Sequence, residues 1–293
     1  MIPDPVVGAY RAGAFAARAV PAPVARAVAR LGGSAAGQVM HARRSAVEGN
    51  LRRVDPTLSG RRLDRAVDGA FASYARYYAE SFRLPGADPA AIDAGFSFSG
   101  YGHIVSARER GTGAIIALPH LGGWEWAAFW MAVIEDVPVT AVVEALEPAE
   151  LFDWFVDFRR SLGMNVVALG PGAGSEVLRS LKAGHVVCLL SDRDIAGGGV
   201  EVEFFGERTT LPGGPATLAF RTGAPLLPTA IYFDGDGHRA QVDPPLEVER
   251  RGSLRDDVAR VTQDLAVALE HLIRQAPEQW HVMTPNWSSD RAE

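Results

Sequence analysis

The chain has 293 residues, 47% hydrophobic and 22% charged, so it carries enough apolar side chains for a folded core and is not a disordered chain. Its single cysteine, Cys188, excludes an internal disulfide framework and a cysteine-rich metal site. The net charge of −6 is unevenly spread, because residues 1–63 hold ten arginines against three acidic residues. A basic segment on an acidic body indicates an anionic partner surface, either a membrane or nucleic acid.

Residues 5–20 and 23–48 are predicted to be helices separated at Pro21. Four arginines share roughly one third of the helical wheel: Arg11, Arg18, Arg26 and Arg30. Such a helix can lie in a membrane interface with its arginines reaching the headgroups, or it can pack on the body with its arginines in water. We expect a basic amphipathic arm over 1–60, in contact with a membrane surface, before a domain over 61–293. No run of 18 apolar residues occurs, so we expect no membrane-spanning helix.

A further helix is predicted over 61–82, and it is rich in aromatic side chains. These are Phe71, Tyr74, Tyr77, Tyr78 and Phe82. We expect them to pack in the core, with the lining of an apolar ligand groove as the alternative.

From residue 100 onward, strand-like and helix-like segments alternate. The predicted strands are 114–118, 138–143, 165–169, 186–190, 200–205 and 227–233. The predicted helices are 123–135, 147–162, 174–183, 212–222 and 253–275. This alternation predicts a single α/β domain whose central sheet is mixed but largely parallel and is flanked by helices.

Polar side chains follow two of the predicted strands. His120 and Glu125 follow 114–118 in the segment ALPHLGGWEW, and Asp192 follows 186–190. The ends of two strands in one sheet can bring such residues together, and a carboxylate can hold a histidine in the tautomer that a general base needs. Residues five apart on a continuous helix point about 140° apart, so Glu125 reaches the histidine only if the chain bends between them. A purely structural histidine and a turn-forming aspartate are the alternatives.

Other sites are disfavoured by their missing motifs. The loop 170–175 lacks the third glycine of a dinucleotide fingerprint, and no G-K-[ST] follows it. No G-x-S-x-G elbow occurs, and the seven histidines form neither H-E-x-x-H nor a close pair. We therefore expect no metal site, no bound nucleotide cofactor and no serine nucleophile of the α/β-hydrolase kind.

Six sets of residues occur in order from about residue 70 to 287 and form a further pattern. They are Ser73-Tyr-Ala-Arg-Tyr-Tyr with Phe82-Arg-Leu-Pro, Ala117-Leu-Pro-His120 with Trp124-Glu125, Phe158-Arg159 with Ser161-Leu-Gly163, Asp192-Arg-Asp194, Phe204-Phe-Gly-Glu207 with Leu211-Pro-x-Gly-Pro-Ala216, and Trp280-His281 with Pro285-x-Trp287. Together they resemble the H-x4-D/E acyltransferase superfamily and, within it, the lipid A biosynthesis acyltransferase family. The resemblance is closest to the actinobacterial phosphatidylinositol mannoside acyltransferases.

The resemblance implies a glycerol-3-phosphate acyltransferase-like fold and the transfer of a long acyl group from acyl-CoA to a hydroxyl of a membrane glycolipid. The implied acceptor is a mannose of a phosphatidylinositol mannoside, and the implied location is peripheral, at the cytoplasmic face of the cell membrane. Acyl-CoA is then a co-substrate with no further cofactor, and the anionic partner is a membrane and not nucleic acid. A thioesterase-like hydrolase and a non-catalytic lipid-binding protein are the alternatives.

The resemblance also assigns roles to residues. His120 is the implied general base, oriented by Asp192, Glu125 or both, and no acyl-enzyme forms. Asp192 aligns with a residue that is a glutamate in the mannoside family. Five further positions are expected to bind substrate beside Arg159: Glu144, Arg193, Gly122, Gly123 and Trp124. Backbone N–H groups near the two glycines are candidate donors to the thioester oxyanion.

Overall fold

A seven-stranded sheet lies at the centre of the structure, a computed structural model that describes residues 4–195 and 197–291. The strands are β1 Phe96–Ser99, β2 Ala114–Leu118, β3 Val139–Val143, β4 Met164–Ala168, β5 Val186–Leu190, β6 Val200–Phe204, β7 Glu207–Leu211, β8 Leu226–Asp234 and β9 Gly237–Val242. The central sheet runs in the order β1-β9-β8-β2-β5-β3-β4, and β6 and β7 form a separate antiparallel pair. Among the strands of the central sheet that the structure describes, only β8 and β9 pair in antiparallel fashion. The predicted mixed, largely parallel sheet is confirmed.

Helices cover both faces of this sheet. They are α1 Pro5–Ala19, α2 Ala22–Val39, α3 His41–Val54, α4 Gly60–Ser81, α5 Pro89–Ala94, α6 Gly102–Glu109, α7 Trp124–Val133, α8 Ala149–Ser161, α9 Ala173–Lys182, α10 Gly214–Thr222 and α11 Leu254–Arg274. Successive residues of β2 point to opposite faces: Ile116 and Leu118 pack with α7 and α8, whereas Ile115 and Ala117 pack with α9, α10 and α11. A strand buried on both faces needs the continuous apolar run that this segment has.

Three parts of the fold differ from the sequence-based expectation. The helix predicted over 23–48 is interrupted at Met40, whose backbone (φ −91°, ψ 65°) is not helical. The strand predicted over 200–205 joins the separate hairpin and not the central sheet. Strands β1, β7 and β9 and the short helices α5 and α6 were not predicted, because their sequences are short or mostly polar and give little periodic signal.

The helices before residue 60 pack on the rest of the chain. Val7 of α1 is fully buried, and α2 lies so close to α4 that a Cβ atom at Gly33 would come within 2.4 Å of the Phe71 carbonyl oxygen. Whether residue 60 is a domain boundary stays a prediction. No helix within the described ranges is long and apolar enough to cross a membrane.

The four arginines that share a sector of the helical wheel lie on helices that pack on the body, which was one of the two alternatives, and three of them contact other parts of the chain. Arg11 pairs with Glu150 at 3.4 Å, Arg18 donates to the Phe82 carbonyl oxygen at 2.6 Å, and Arg26 pairs with Asp236 at 3.0 Å. Large apolar side chains are also exposed on these helices, with exposed fractions of 76% for Phe15, 64% for Val28, 69% for Leu31 and 73% for Val39.

Candidate active site

Two neighbouring strand ends bring His120 and Asp192 together. Strands β2 and β5 are parallel and pair Leu118 with Leu190, so the residues two positions beyond each strand lie side by side. Nδ1 of His120 lies 2.6 Å from Oδ1 of Asp192, and the backbone N–H of His120 donates to Oδ2 at 2.9 Å. The structure thus places Asp192, and not Glu125, in contact with the histidine.

The Asp192 carboxylate is fully buried and held by several donors. The indole N–H of Trp280 donates to Oδ2 at 2.6 Å, and the side-chain amide of Asn286 donates to the Asp192 carbonyl oxygen at 3.0 Å. Burial alone would raise the pKa of Asp192. The charge of His120 and the hydrogen bonds from His120 and Trp280 outweigh burial and lower this pKa below its ordinary value. The carboxylate is therefore ionised at neutral pH.

This contact fixes the tautomer of the histidine. An ionised carboxylate only accepts hydrogen bonds, so Nδ1 of His120 is the donor and, in the neutral imidazole, Nε2 is the nitrogen with the lone pair. The His120 side chain is 23% exposed and lines a cleft. His120 is thus placed to accept a proton from a molecule bound in that cleft.

The cleft that His120 lines has a volume of about 620 Å³. Apolar and aromatic side chains form much of its wall: Tyr10, Tyr74, Tyr77, Tyr78, Leu146, Leu151 and Phe155. Charged side chains also reach it: Glu144, Arg159, Arg193, Asp194 and Arg221. The tyrosines of α4 therefore line a groove, which was the alternative to their packing only in the core.

Glu125 occupies the first turn of α7 but contacts other elements than the dyad. Its Oε1 accepts from the hydroxyl of Tyr77 at 2.6 Å and from Nη2 of Arg159 at 3.1 Å. Burial raises the pKa of Glu125, and the opposing effects of Arg159 and Tyr77 do not cancel this rise. Glu125 therefore links α7 to α4 and α8, and it holds Tyr77 and Arg159, two side chains that line the cleft.

The two glycines after His120 form a turn that side chains would block. Gly122 has φ +58°, and a Cβ atom there would lie 1.8 Å from the Ile231 carbonyl oxygen. At Gly123 a Cβ atom would lie 2.7 Å from Nε2 of His238. The N–H of Gly122 already donates to the Gln279 carbonyl oxygen at 3.0 Å. This hydrogen bond argues against our expectation that Gly122 donates to a thioester oxyanion, and Gly123 is not among the residues that line the cleft.

The other predicted substrate-binding residues reach the same cleft. Glu144 directly follows β3, Arg193 follows Asp192, and Trp124 begins α7. The guanidinium carbon of Arg159 lies 5.1 Å from the centroid of the Trp124 ring. The structure brings these side chains to one cleft, and their contacts with substrate stay predictions.

Two residues near the dyad, His281 and Trp280, were not among the predicted site residues. The N–H of His281 donates to the His120 carbonyl oxygen at 2.6 Å, and its Nε2 lies 2.9 Å from the Ser73 hydroxyl. Burial, and secondarily the nearby His120, lower the pKa of His281 to about 3. The adjacent Trp-His pair in the acyltransferase-like segment was the only signal in the sequence that could have identified them.

Comparisons with known proteins bear on this site. The model of the bacterial lipid A biosynthesis acyltransferase family matches residues 6–289. The chain belongs to this family. The chain is similar to the phosphatidylinositol mannoside acyltransferase of Mycolicibacterium smegmatis, to which it is 39% identical over 233 residues. This stretch is 78% of this chain and 75% of the relative. The protein of the same name from Mycobacterium tuberculosis is 38% identical over 290 residues, which is 97% of this chain and 89% of the relative.

Membership of the lipid A acyltransferase family makes the chain an acyltransferase, as its sequence predicts. The H-x4-E signature of the family is present at His120 and Glu125. Within residues 4–195 and 197–291, no three His, Cys, Asp or Glu side chains are grouped so as to hold a metal ion.

Proposed function

We propose that the chain transfers a long-chain acyl group from acyl-CoA to a mannose hydroxyl of a phosphatidylinositol mannoside. The observation that carries the proposal is the contact of His120 with Asp192 at the wall of a cleft that combines apolar and charged side chains. The names of the two mycobacterial relatives support the glycolipid acceptor.

In this proposal His120 acts as the general base. A sugar hydroxyl is a poor nucleophile at neutral pH, so Nε2 of His120 removes its proton while the oxygen attacks the thioester carbonyl. Asp192 stabilises the resulting imidazolium through Nδ1 and keeps its own charge. The tetrahedral intermediate collapses to the ester, the C–S bond breaks, and the imidazolium returns its proton to the departing thiolate. The products are the acylated glycolipid and CoA, without an acyl-enzyme.

The cleft offers suitable surfaces for both parts of acyl-CoA. An acyl chain is stabilised by burial of its methylene groups, at about 0.8 kcal/mol each, and the side chains of Tyr78, Leu151 and Phe155 present the apolar wall. The phosphates of CoA need cationic donors, and Arg193 and Arg221 lie in the same cleft.

The decisive experiment incubates the purified chain with radiolabelled palmitoyl-CoA, with and without phosphatidylinositol mannoside in vesicles. We expect a product of the mass of the acylated mannoside, formed only when the mannoside is present. Free fatty acid as the sole product in both samples would show the thioesterase-like hydrolase instead. His120→Ala should abolish transfer while leaving vesicle binding unchanged, and undiminished transfer by this variant would refute the assignment of the base.

We further propose that the chain acts at the cytoplasmic face of the cell membrane as a peripheral protein. Phe15, Val28, Leu31 and Val39 are exposed large apolar side chains on α1 and α2. A helix surface of this kind inserts shallowly into the headgroup region, and each large apolar side chain that leaves water contributes about 1.5–3 kcal/mol. The acyl-CoA co-substrate is expected on the cytoplasmic side.

Vesicle flotation tests this location. The double variant Val28→Ser/Leu31→Ser should lose binding to vesicles, because the apolar surface of α2 is removed. Val267 is a matched control, since it is also an exposed apolar side chain, 57% exposed, but lies on α11. Equal binding by Val267→Ser and by the double variant would refute α2 as the inserting element.

A further inference from the structure

A second cavity, of about 510 Å³, lies between α2, α4 and the turn that joins β8 to β9. Ser73 forms part of its wall, and the Ser73 hydroxyl is hydrogen-bonded to His281, which lines the acyl-transfer cleft. The two cavities are therefore neighbours, separated at this point by one pair of side chains. The volume lies within the range of about 300–1,000 Å³ that is typical of small-molecule sites.

Three arginines reach this second cavity: Arg26, Arg30 and Arg76. Arg76 is held on two sides, because its Nε donates to Glu80 at 2.8 Å and its guanidinium carbon lies 4.2 Å from the centroid of the Phe233 ring. Its Nη2 is buried and has no hydrogen-bond partner among the described residues. A guanidinium that is held in place at a cavity wall is suited to a phosphate oxygen.

Two carboxylates line the same cavity, at Asp236 and Glu278. They would repel a bare inorganic anion, but a carboxylate is an acceptor for the hydroxyl groups of a polyol. Asp236 pairs with Arg26 at 3.0 Å and is 86% exposed, so this pair is screened by water and is weak enough to exchange partners. The mixture of guanidinium and carboxylate groups therefore fits a phosphate ester of a polyol better than phosphate alone.

The surroundings of the cavity indicate that such a phosphate ester belongs to a lipid. Pro23, Ala27 and Arg30 of α2 line the cavity. On the same helix Val28 and Leu31 are exposed and apolar. A headgroup in the cavity would thus have its glycerol and acyl chains next to the surface that we propose to enter the membrane.

We infer that this cavity binds the headgroup of an inositol-type phospholipid as an anchoring site separate from the acyl-transfer cleft. The inference rests on the membrane location proposed above but not on the acyl-transfer chemistry. Arg26, Arg30 and Arg76 take the phosphate, while Asp236 and Glu278 accept the ring hydroxyls. The site therefore confers a preference among anionic lipids that charge alone would not give.

The test compares flotation with phosphatidylcholine vesicles that contain 20 mol% of either phosphatidylinositol or phosphatidylglycerol, which have equal headgroup charge. We expect at least fivefold tighter binding to the inositol vesicles. Two variants should remove this preference: Arg30→Gln, which deletes a donor, and Ala27→Trp, which fills the cavity without changing charge. Arg52→Gln is the matched control, because Arg52 is an exposed arginine of α3 that does not line the cavity.

Several outcomes would overturn the inference. Equal binding to the two vesicle types, or an undiminished preference in Ala27→Trp, would show that only surface charge matters. Tight binding of soluble glycerophosphoinositol that is lost in Ala27→Trp, together with equal binding to the two vesicle types, would assign the cavity to a free polyol phosphate and not to a lipid. Failure of the acyl-transfer proposal is separable, because His120→Ala should retain the full preference for inositol vesicles.

Discussion

Replacement of Asp192 by asparagine tests the dyad most directly, because it removes the charge and changes little in size. The Asp192 carboxylate lies 2.6 Å from Nδ1 of His120 and is fully buried. The attraction between an imidazolium and a carboxylate whose charges are centred about 4 Å apart is about 4 kcal/mol at an effective dielectric constant of about 20. Since about 1.4 kcal/mol corresponds to a tenfold change in rate, we expect kcat to fall by about 10³.

The assay is the initial rate of transfer to mannoside-containing vesicles at several concentrations of palmitoyl-CoA. The KM for palmitoyl-CoA should change little, because Asp192 acts on the imidazolium that forms during the reaction and not on bound substrate. Trp280→Phe is a graded control: it keeps an aromatic ring and removes one hydrogen bond to Asp192, so its loss should be about tenfold.

A single result would refute this reasoning. If Asp192→Asn keeps more than about one tenth of the wild-type kcat, the charge of Asp192 does not supply the stabilisation that its position indicates. Thermal unfolding of the variant must be measured alongside, so that a loss of folded protein is not mistaken for a loss of catalysis.

Further substitutions at His281, at the Glu125–Arg159 pair and at two glycines are predicted to act mainly on stability. The pKa of His281 is about 3 in the folded chain and about 6.5 in the unfolded chain, so the unfolded state takes up the proton first as pH falls. The free energy of unfolding should therefore fall by about 1.4 kcal/mol per pH unit between pH 6.5 and 3. In urea unfolding, His281→Gln should flatten this slope. Arg159→Met leaves the buried Glu125 without its charged partner, with only the Tyr77 hydroxyl bonded to it, and should cost about 3–5 kcal/mol by the same assay. Glu125→Gln in the same chain should restore much of this loss, and no restoration would contradict the pairing. Gly122→Ala should yield little folded protein, because the added methyl group would lie 1.8 Å from the Ile231 carbonyl oxygen. The control Gly13→Ala adds its methyl group in open space on α1 and should stabilise the fold by about 0.5–1 kcal/mol. A normal yield and melting temperature for Gly122→Ala would contradict the close approach.

The sequence predicted the contact of His120 with Asp192 because each residue follows the end of a strand that can be recognised from its apolar run. The apolar runs of β2 and β5 have the predicted bounds, 114–118 and 186–190. His120 and Asp192 lie the same distance beyond these runs, so a parallel pairing in register is enough to bring them together. The short side chain of Asp192 is long enough to reach the histidine.

The partners of Glu125 and the orientation of α2 could not be predicted from local sequence patterns, because both depend on how helices that are distant in the sequence pack together. Glu125 is hydrogen-bonded to Tyr77 and Arg159, which are 48 and 34 positions away in the sequence and lie on other helices. A helical wheel grouped Arg26 with three other arginines, but the wheel says nothing about which face the partner helix covers. The close approach of α2 to α4, made possible by small residues such as Gly33, decides that orientation.

The contacts of Trp280 tie the dyad to the segment that follows α11. Trp280 and Asn286 hold Asp192, and His281 holds the backbone of His120. All strands of the central sheet precede these three residues in the chain. A chain cut after α11 would therefore keep the pairing of β2 with β5 but lose the indole donor that Trp280 supplies to the buried carboxylate. The environment of the dyad is thus completed by residues that lie outside the sheet on which its two members stand.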